Sequence, residues 1–243
     1  MEERKHALLG ASKAYRWMKC TPSARLEEKY EEEKSKYADE GTLAHELAAL
    51  ELKKTYYNIT EEEYNKELFE IQSNSLWKDE MIEYVKIYTD FVKELYEEEK
   101  ANNEKVQIYI EEKVYFDHVA PEGFGTCDCG IVSNSRYIIV DLKYGKGVFV
   151  KADKNPQLIL YALGFIKDKE EIWGKNPVTA YICQPRMRTQ IITKYESANS
   201  NIKSWGTRIK KVAEIAFKGD GSFNGGEWCR FCKYRKNCYY SWY

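Results

Sequence analysis

Residues 125–161 (GTCDCGIVSNSRYIIVDLKYGKGVFVKADKNPQLILY) constrain the fold more than any other stretch. Thr126 to Val132 and Tyr137 to Lys143 read as two strands, with Ser133, Asn134 and Ser135 supplying turn chemistry between them, so the pair predicts a β-hairpin. The apolar run Tyr137-Ile138-Ile139-Val140 predicts a strand buried on both faces. That strand ends in Asp141-Leu142-Lys143. Residues two apart share a strand face, so Asp141 and Lys143 point the same way, and Asp128 on the neighbouring strand can point at them. Such charges at the end of an apolar strand are costly unless paired or bound to a metal. Oxygen donors of this kind suit Mg²⁺ or Mn²⁺. A salt-bridged hairpin end is the other outcome.

The flanking elements set the fold class. Residues 13–19 read as a short helix with Ser12 as a possible cap, and residues 24–36 as a charged, solvated helix or loop. Leu43, Leu47 and Leu50 lie at helical spacing in residues 40–54. Two more helices fall within 61–100, the second amphipathic. Residues 106–116 alternate as a strand, and Asn155-Pro156 opens a helix. Residues 177–184 and 189–195 read as strands, and residues 198–217 as a basic amphipathic helix. The expectation is one α/β domain with a small mixed central sheet flanked by helices. Residues 1–105 form its mostly helical portion, 106–218 its sheet-containing core and 219–243 a cysteine-bearing tail.

Several residues stand out as chemistry. His45 sits within an apolar helix stripe, as a structural histidine or a ligand. Glu111 or Glu112 could lie near a metal at Asp128. Lys146 and Lys151, with Lys143 and Lys154, form a cationic group that is either a solvated loop or a phosphate contact. Arg186 and Arg188 add two charges at a turn. Gln157 and Tyr161 share one helix face, where Tyr161 either packs in the core or joins Gln157 in holding Lys143 or a DNA backbone. Cys229, Cys232 and Cys238 are spaced C-x₂-C-x₅-C, within reach of one centre that needs a fourth ligand. Cys127 and Cys129 flank Asp128 and face away from it as small core residues. Cys183 reads likewise, whereas Cys20 stands apart at a helix end.

Composition narrows the classes. The formal net charge of −1 supplies no global basic field, so any DNA groove must be local. Seven cysteines, an odd number, argue against a full disulfide framework. The start MEERKHALLG lacks a secretory pattern, and no segment approaches membrane-span length. The expectation is a reducing, cytoplasmic setting, where cysteine clusters more often mean metal than disulfide.

The pattern Gly125-Thr126-Cys127-Asp128, then Asp141-x-Lys143, then Gln157-x-x-x-Tyr161 resembles the RecB-like branch of the PD-(D/E)xK nuclease superfamily. Gly41-Thr42-x-x-His45 resembles that branch's G-T-x-x-H helix motif. Cys127 stands where the name-giving proline would be. The resemblance implies a restriction-endonuclease-like core, with Mn²⁺ or Mg²⁺ held by His45, Asp128, Asp141 and the Leu142 backbone carbonyl. It gives Lys143, Gln157 and Tyr161 catalytic roles, and Lys146, Lys151, Arg186 and Arg188 possible DNA contacts. One early cysteine with a late C-x₂-C-x₅-C is similar to the iron–sulfur nucleases of AddB and CRISPR-adaptation type, and to phage and prophage relatives. That implies a structural [4Fe–4S] cluster on Cys20, Cys229, Cys232 and Cys238, with structural Zn²⁺ as the rival. The implied function is a metal-dependent DNA exonuclease in bacterial or phage recombination, repair or CRISPR-type processing. It would act on single-stranded or end-containing DNA, with a recombination or CRISPR-adaptation protein as possible partner. The alternative is a catalytically silent DNA- or partner-binding module on the same fold.

Overall fold

The computed structural model describes residues 7–30 and 36–242. Part of the charged stretch 24–36 therefore lies outside the described residues. Helices α1 (Ala14–Trp17), α2 (Ser23–Glu27), α3 (Lys36–Tyr56), α4 (Glu61–Gln72) and α5 (Glu80–Asn102) precede the sheet. Strands β1 (Val106–Tyr115), β2 (Phe124–Ser133) and β3 (Tyr137–Leu142) follow, then α6 (Pro156–Trp173), β4 (Val178–Cys183), β5 (Ile192–Ser197) and α7 (Asn199–Lys218). The sheet order is β1-β2-β3-β4-β5. Only the β3–β4 pair is parallel, because α6 carries the chain back across the sheet between them. The result is a mixed α/β fold with a helical N-terminal part.

The sheet separates two apolar layers. On one face Leu43, Leu47 and Leu50 of α3 and Met81, Val85, Tyr88 and Val92 of α5 pack against Ile108, Ile110, Ile131, Ile138 and Val140. On the other, α6, α7 and the N-terminal segment cover Val114, Val132, Tyr137 and Ile139. Every residue of β3 is buried, as its apolar run requires. Helix α6 lies close to β1: a Cβ on Gly164 would sit 2.2 Å from Val114 Cγ1 and 2.9 Å from the Tyr115 carbonyl. Asn155 caps α6, accepting from the Gln157 N–H at 3.0 Å, with Pro156 in the first turn.

Three expectations need correcting. Ser12 caps nothing. It lies inside a 3₁₀ turn, Ala11–Lys13, that runs into α1. The charged stretch is not merely a solvated face, since Glu27 is buried and ion-paired to Arg16 at 2.8 Å. Cys127 and Cys129 are both core residues, but on opposite faces of the sheet: Cys127 packs in the α6 layer and Cys129 in the α3 layer. The cause is in β1. Glu111 has φ of 52°, and the ladder between β1 and β2 skips the Glu111–Asp128 pair. Beyond that break the alternation reverses, so Ile108 and Ile110 face α3 while Val114 faces α6. A left-handed backbone is costly for a residue with a side chain and clusters at functional sites.

Candidate metal centre

The ladder break makes room for a charged centre. The β2–β3 pairing stops at Cys129↔Val140. In place of the next bond, the Leu142 N–H donates to the Asp128 carboxylate at 2.7 Å. On its other side β3 stays paired with β4 to its end, and the Lys143 N–H donates to the Cys183 carbonyl at 2.8 Å. Asp128 is thus fixed by β3 backbone and aimed at α3, where His45 Nδ1 lies 3.1 Å from its Oδ1. His45 comes from the third turn of a long, well-packed helix, so its position is set by the apolar stripe beneath it. Each of His45, Glu111 and Asp128 offers a ligand atom within 4.8 Å of the other two, so this trio could hold a metal ion.

A second set adjoins the trio. Asp141 is 2 % exposed at its side chain and lies 2.7 Å from Lys143 Nζ. Gln157 Nε2 donates to Asp141 Oδ1 at 2.7 Å, and its Oε1 accepts from Lys143 at 3.0 Å. Tyr161 Oη stands 3.4 Å from the same amide. Gly125 lets that ring approach, since a Cβ there would meet it at 3.1 Å. The shared helix face expected for Gln157 and Tyr161 is therefore observed, with the amide clamping acid to lysine. Asp141 Oδ2 is buried, and the Lys143 ammonium 2.7 Å away is the charge that faces it. The donor set beside it, one imidazole and two carboxylates, is a fit for a divalent cation.

The charges perturb one another strongly. Burial alone would lift Asp128, yet the charges of His45 and Lys143 and the Leu142 N–H outweigh it and hold its carboxyl below the usual range. Asp141 goes the other way, raised by burial and by Asp128 despite Lys143. Burial opposes charge on His45, but Asp128 overrides it and brings the imidazole to about 9. Burial, and then Asp128, push Glu111 up to about 7. This crowding of acids is the condition a bound cation relieves.

The expected residues fall into groups. His45 and Asp128 meet as anticipated. Of the two glutamates left open, Glu111 joins them. Glu112 sits opposite Cys127, on the α6 side, where its charge acts on Tyr109 and Lys169. Asp141 stays outside the tight trio, engaged with Gln157 and Lys143, and Leu142 contributes its N–H. Lys146, Lys151 and Arg188 are exposed. Arg186 is not available as a DNA contact. Its side chain is 5 % exposed, paired with Glu40 at 3.2 Å and Glu80 at 3.6 Å, and it lies over the rings of Tyr144 and Tyr84. No local signal in the turn Pro185–Arg188 announces partners so far away in sequence.

Cys20, Cys229, Cys232 and Cys238 line one small pocket that opens to solvent. The first three are buried and Cys238 is half-buried. Burial pushes the Cys20 thiol up, and the nearness of Cys229 and Cys238 pushes it further. Burial also raises Cys232 to about 11. Protein contacts tie the same two ends together. Glu27 accepts from Arg16 and from the Lys233 N–H at 2.8 Å, Thr21 Oγ1 donates to the Asp220 carbonyl at 2.7 Å, and Asn224 donates to the Lys19 carbonyl at 3.1 Å.

A family model described as "Protein of unknown function (DUF2800)" matches residues 6–241. Among solved structures, one titled "Crystal structure of SSO0001" is similar over 98% of this chain and 88% of its own, at 12% identity and a TM-score of 0.42. No helix among the described residues is long and apolar enough to cross a membrane.

Proposed function

We infer that this chain, which belongs to the family described as Protein of unknown function (DUF2800), is a divalent-metal-dependent deoxyribonuclease. The observation that carries the reading is the convergence of His45, Glu111 and Asp128 beside the clamped Asp141–Lys143 pair. The reading also draws on the resemblance to RecB-like nucleases, with Glu111 proposed as a further ligand. His45, Glu111 and Asp128, with Asp141 adjacent, would hold Mn²⁺ or Mg²⁺, and the imidazole favours Mn²⁺. Such an ion polarises a phosphate and lowers the pKa of coordinated water. Lys143 is held by Asp141 and Gln157 with its ammonium in the same centre, where it can stabilise charge developing on the phosphate or orient the attacking water. Gln157 fixes the lysine rotamer, and Tyr161 supports Gln157.

The four cysteines are proposed as ligands of a structural [4Fe–4S] cluster joining the N-terminal helices to the tail. Structural zinc on the same four thiolates is the rival, since four cysteine sulfurs also suit tetrahedral Zn²⁺; iron and zinc analysis of anaerobically purified protein separates the two. DNA that is single-stranded or carries free ends is the proposed substrate. A recombination or CRISPR-adaptation protein as partner rests on the resemblance alone.

The test is cleavage of end-labelled single- and double-stranded DNA in Mn²⁺ by anaerobically purified protein. Wild type should cut, and Lys143→Ala should lose about a hundredfold or more in rate. No cleavage by wild type, or undiminished cleavage by Asp141→Ala, defeats the reading.

A further inference from the structure

The reversed alternation beyond Glu111 has a second effect. Val114 and Gly125 face α6, so their neighbours Lys113, Tyr115, Phe124 and Thr126 face the other way, toward the side on which Asp128 meets His45. These four are cross-strand partners, Lys113 with Thr126 and Tyr115 with Phe124. Starting from the Glu111–Asp128 position, the same face of the two strands therefore presents three rows in line: the acids, then Lys113 and Thr126, then two aromatic rings. Successive rows are about 7 Å apart, two residues of strand rise. In the outer row Tyr115 is 52% exposed and Phe124 half-buried. The rings sit 6.1 Å apart at 45°, and Lys113 Nζ lies 4.9 Å from the Phe124 centroid and 5.5 Å from that of Tyr115. The opposite face of the same strands is buried against α6, so the rows are rigidly mounted.

We propose that Lys113, Tyr115 and Phe124 form a shelf that binds the nucleotide next to the scissile phosphate, and that the shelf selects single-stranded nucleic acid. The proposal rests on the nuclease reading for its register and deepens it by naming the residues that choose a single strand over a duplex. The occupant follows from the chemistry. An aromatic face takes an unpaired base of any sequence, and a cation between the rings and the acids meets the adjoining phosphate. A paired base cannot offer its face to a ring while it is stacked in a duplex. An apolar protein partner would have no use for the ammonium between the two rows.

The experiment measures binding of a labelled oligothymidylate by anisotropy with Ca²⁺ in place of Mn²⁺, on the full chain, for wild type, Tyr115→Ala, Tyr115→Trp and Lys113→Gln. Thermal melts confirm that the variants fold. The shelf predicts about a tenfold loss for Tyr115→Ala and wild-type or tighter binding for Tyr115→Trp, because stacking on one ring is worth that much. It also predicts quenching of the added indole fluorescence by the oligonucleotide, and a shallower salt dependence for Lys113→Gln. Equal binding by wild type and Tyr115→Ala, or no binding by wild type, overturns the proposal. The two readings separate: Mn²⁺-dependent cleavage with no effect of Tyr115→Ala on binding or KM removes the shelf and leaves the nuclease. Binding lost in Tyr115→Ala, with no cleavage by wild type, leaves the shelf and removes the nuclease.

Discussion

At the scale of residues, the centre is governed by competition for protons. Ligation needs a neutral His45 and an ionised Glu111, and both hold protons more tightly than usual, to about 9 and about 7. At pH 6 both carry a proton that a cation must displace. Mn²⁺ affinity should therefore climb steadily from pH 6 to 9 and then level, as titration calorimetry at several pH values would show. A flat profile would mean that neither group is a ligand. The acids and the lysine were legible from strand parity and the apolar run that ends in them, whereas the part given to the histidine came from the family resemblance. The choice between Glu111 and Glu112 was not. It turns on one left-handed backbone angle at Glu111, which alternation in β1 conceals. Arg186 was misread because its partners Glu40 and Tyr84 lie far away in sequence on α3 and α5.

At the scale of elements, the placement of α6 decides whether Gln157 reaches Asp141. That helix rests on β1 and β2 through Gly164 and Gly130, where a Cβ would strike Val114 and Phe165. Gly164→Ala adds helix propensity but forces the helix off the sheet, since one of the contacts is backbone. The expected outcome is a net loss of about 1–3 kcal/mol in urea denaturation. Slower cleavage should accompany it as Gln157 retreats from Lys143. Every strand and long helix was readable from periodicity and turn chemistry, and β3 most clearly from its apolar run. The short helix α1 was readable too, but its start was not, because a 3₁₀ turn rather than a Ser12 cap leads into it.

At the scale of the whole molecule, the chain closes on itself: α1 and α2 are held to the C-terminal tail by buried polar contacts as well as by the cysteine cavity. Glu27 is the hub, taking Arg16 and the Lys233 N–H in a site 5% exposed. Glu27→Ala strands a largely buried guanidinium and should cost about 3–5 kcal/mol of stability. Iron content should fall with it as the cysteines separate, which metal analysis of the purified variant would check. The Cys20 partnership was visible only through the family resemblance, whereas the Glu27 hub left no mark in a stretch that looks uniformly charged. The proposed activity depends on one cation being held between α3 and the sheet. Electron paramagnetic resonance of Mn²⁺ titrated into the protein at pH 8 measures that directly. One tightly bound ion per wild-type chain, lost in both Asp128→Asn and His45→Ala, is the expected result. Absence of a bound ion in the wild type, or equal binding by both variants, would contradict the account.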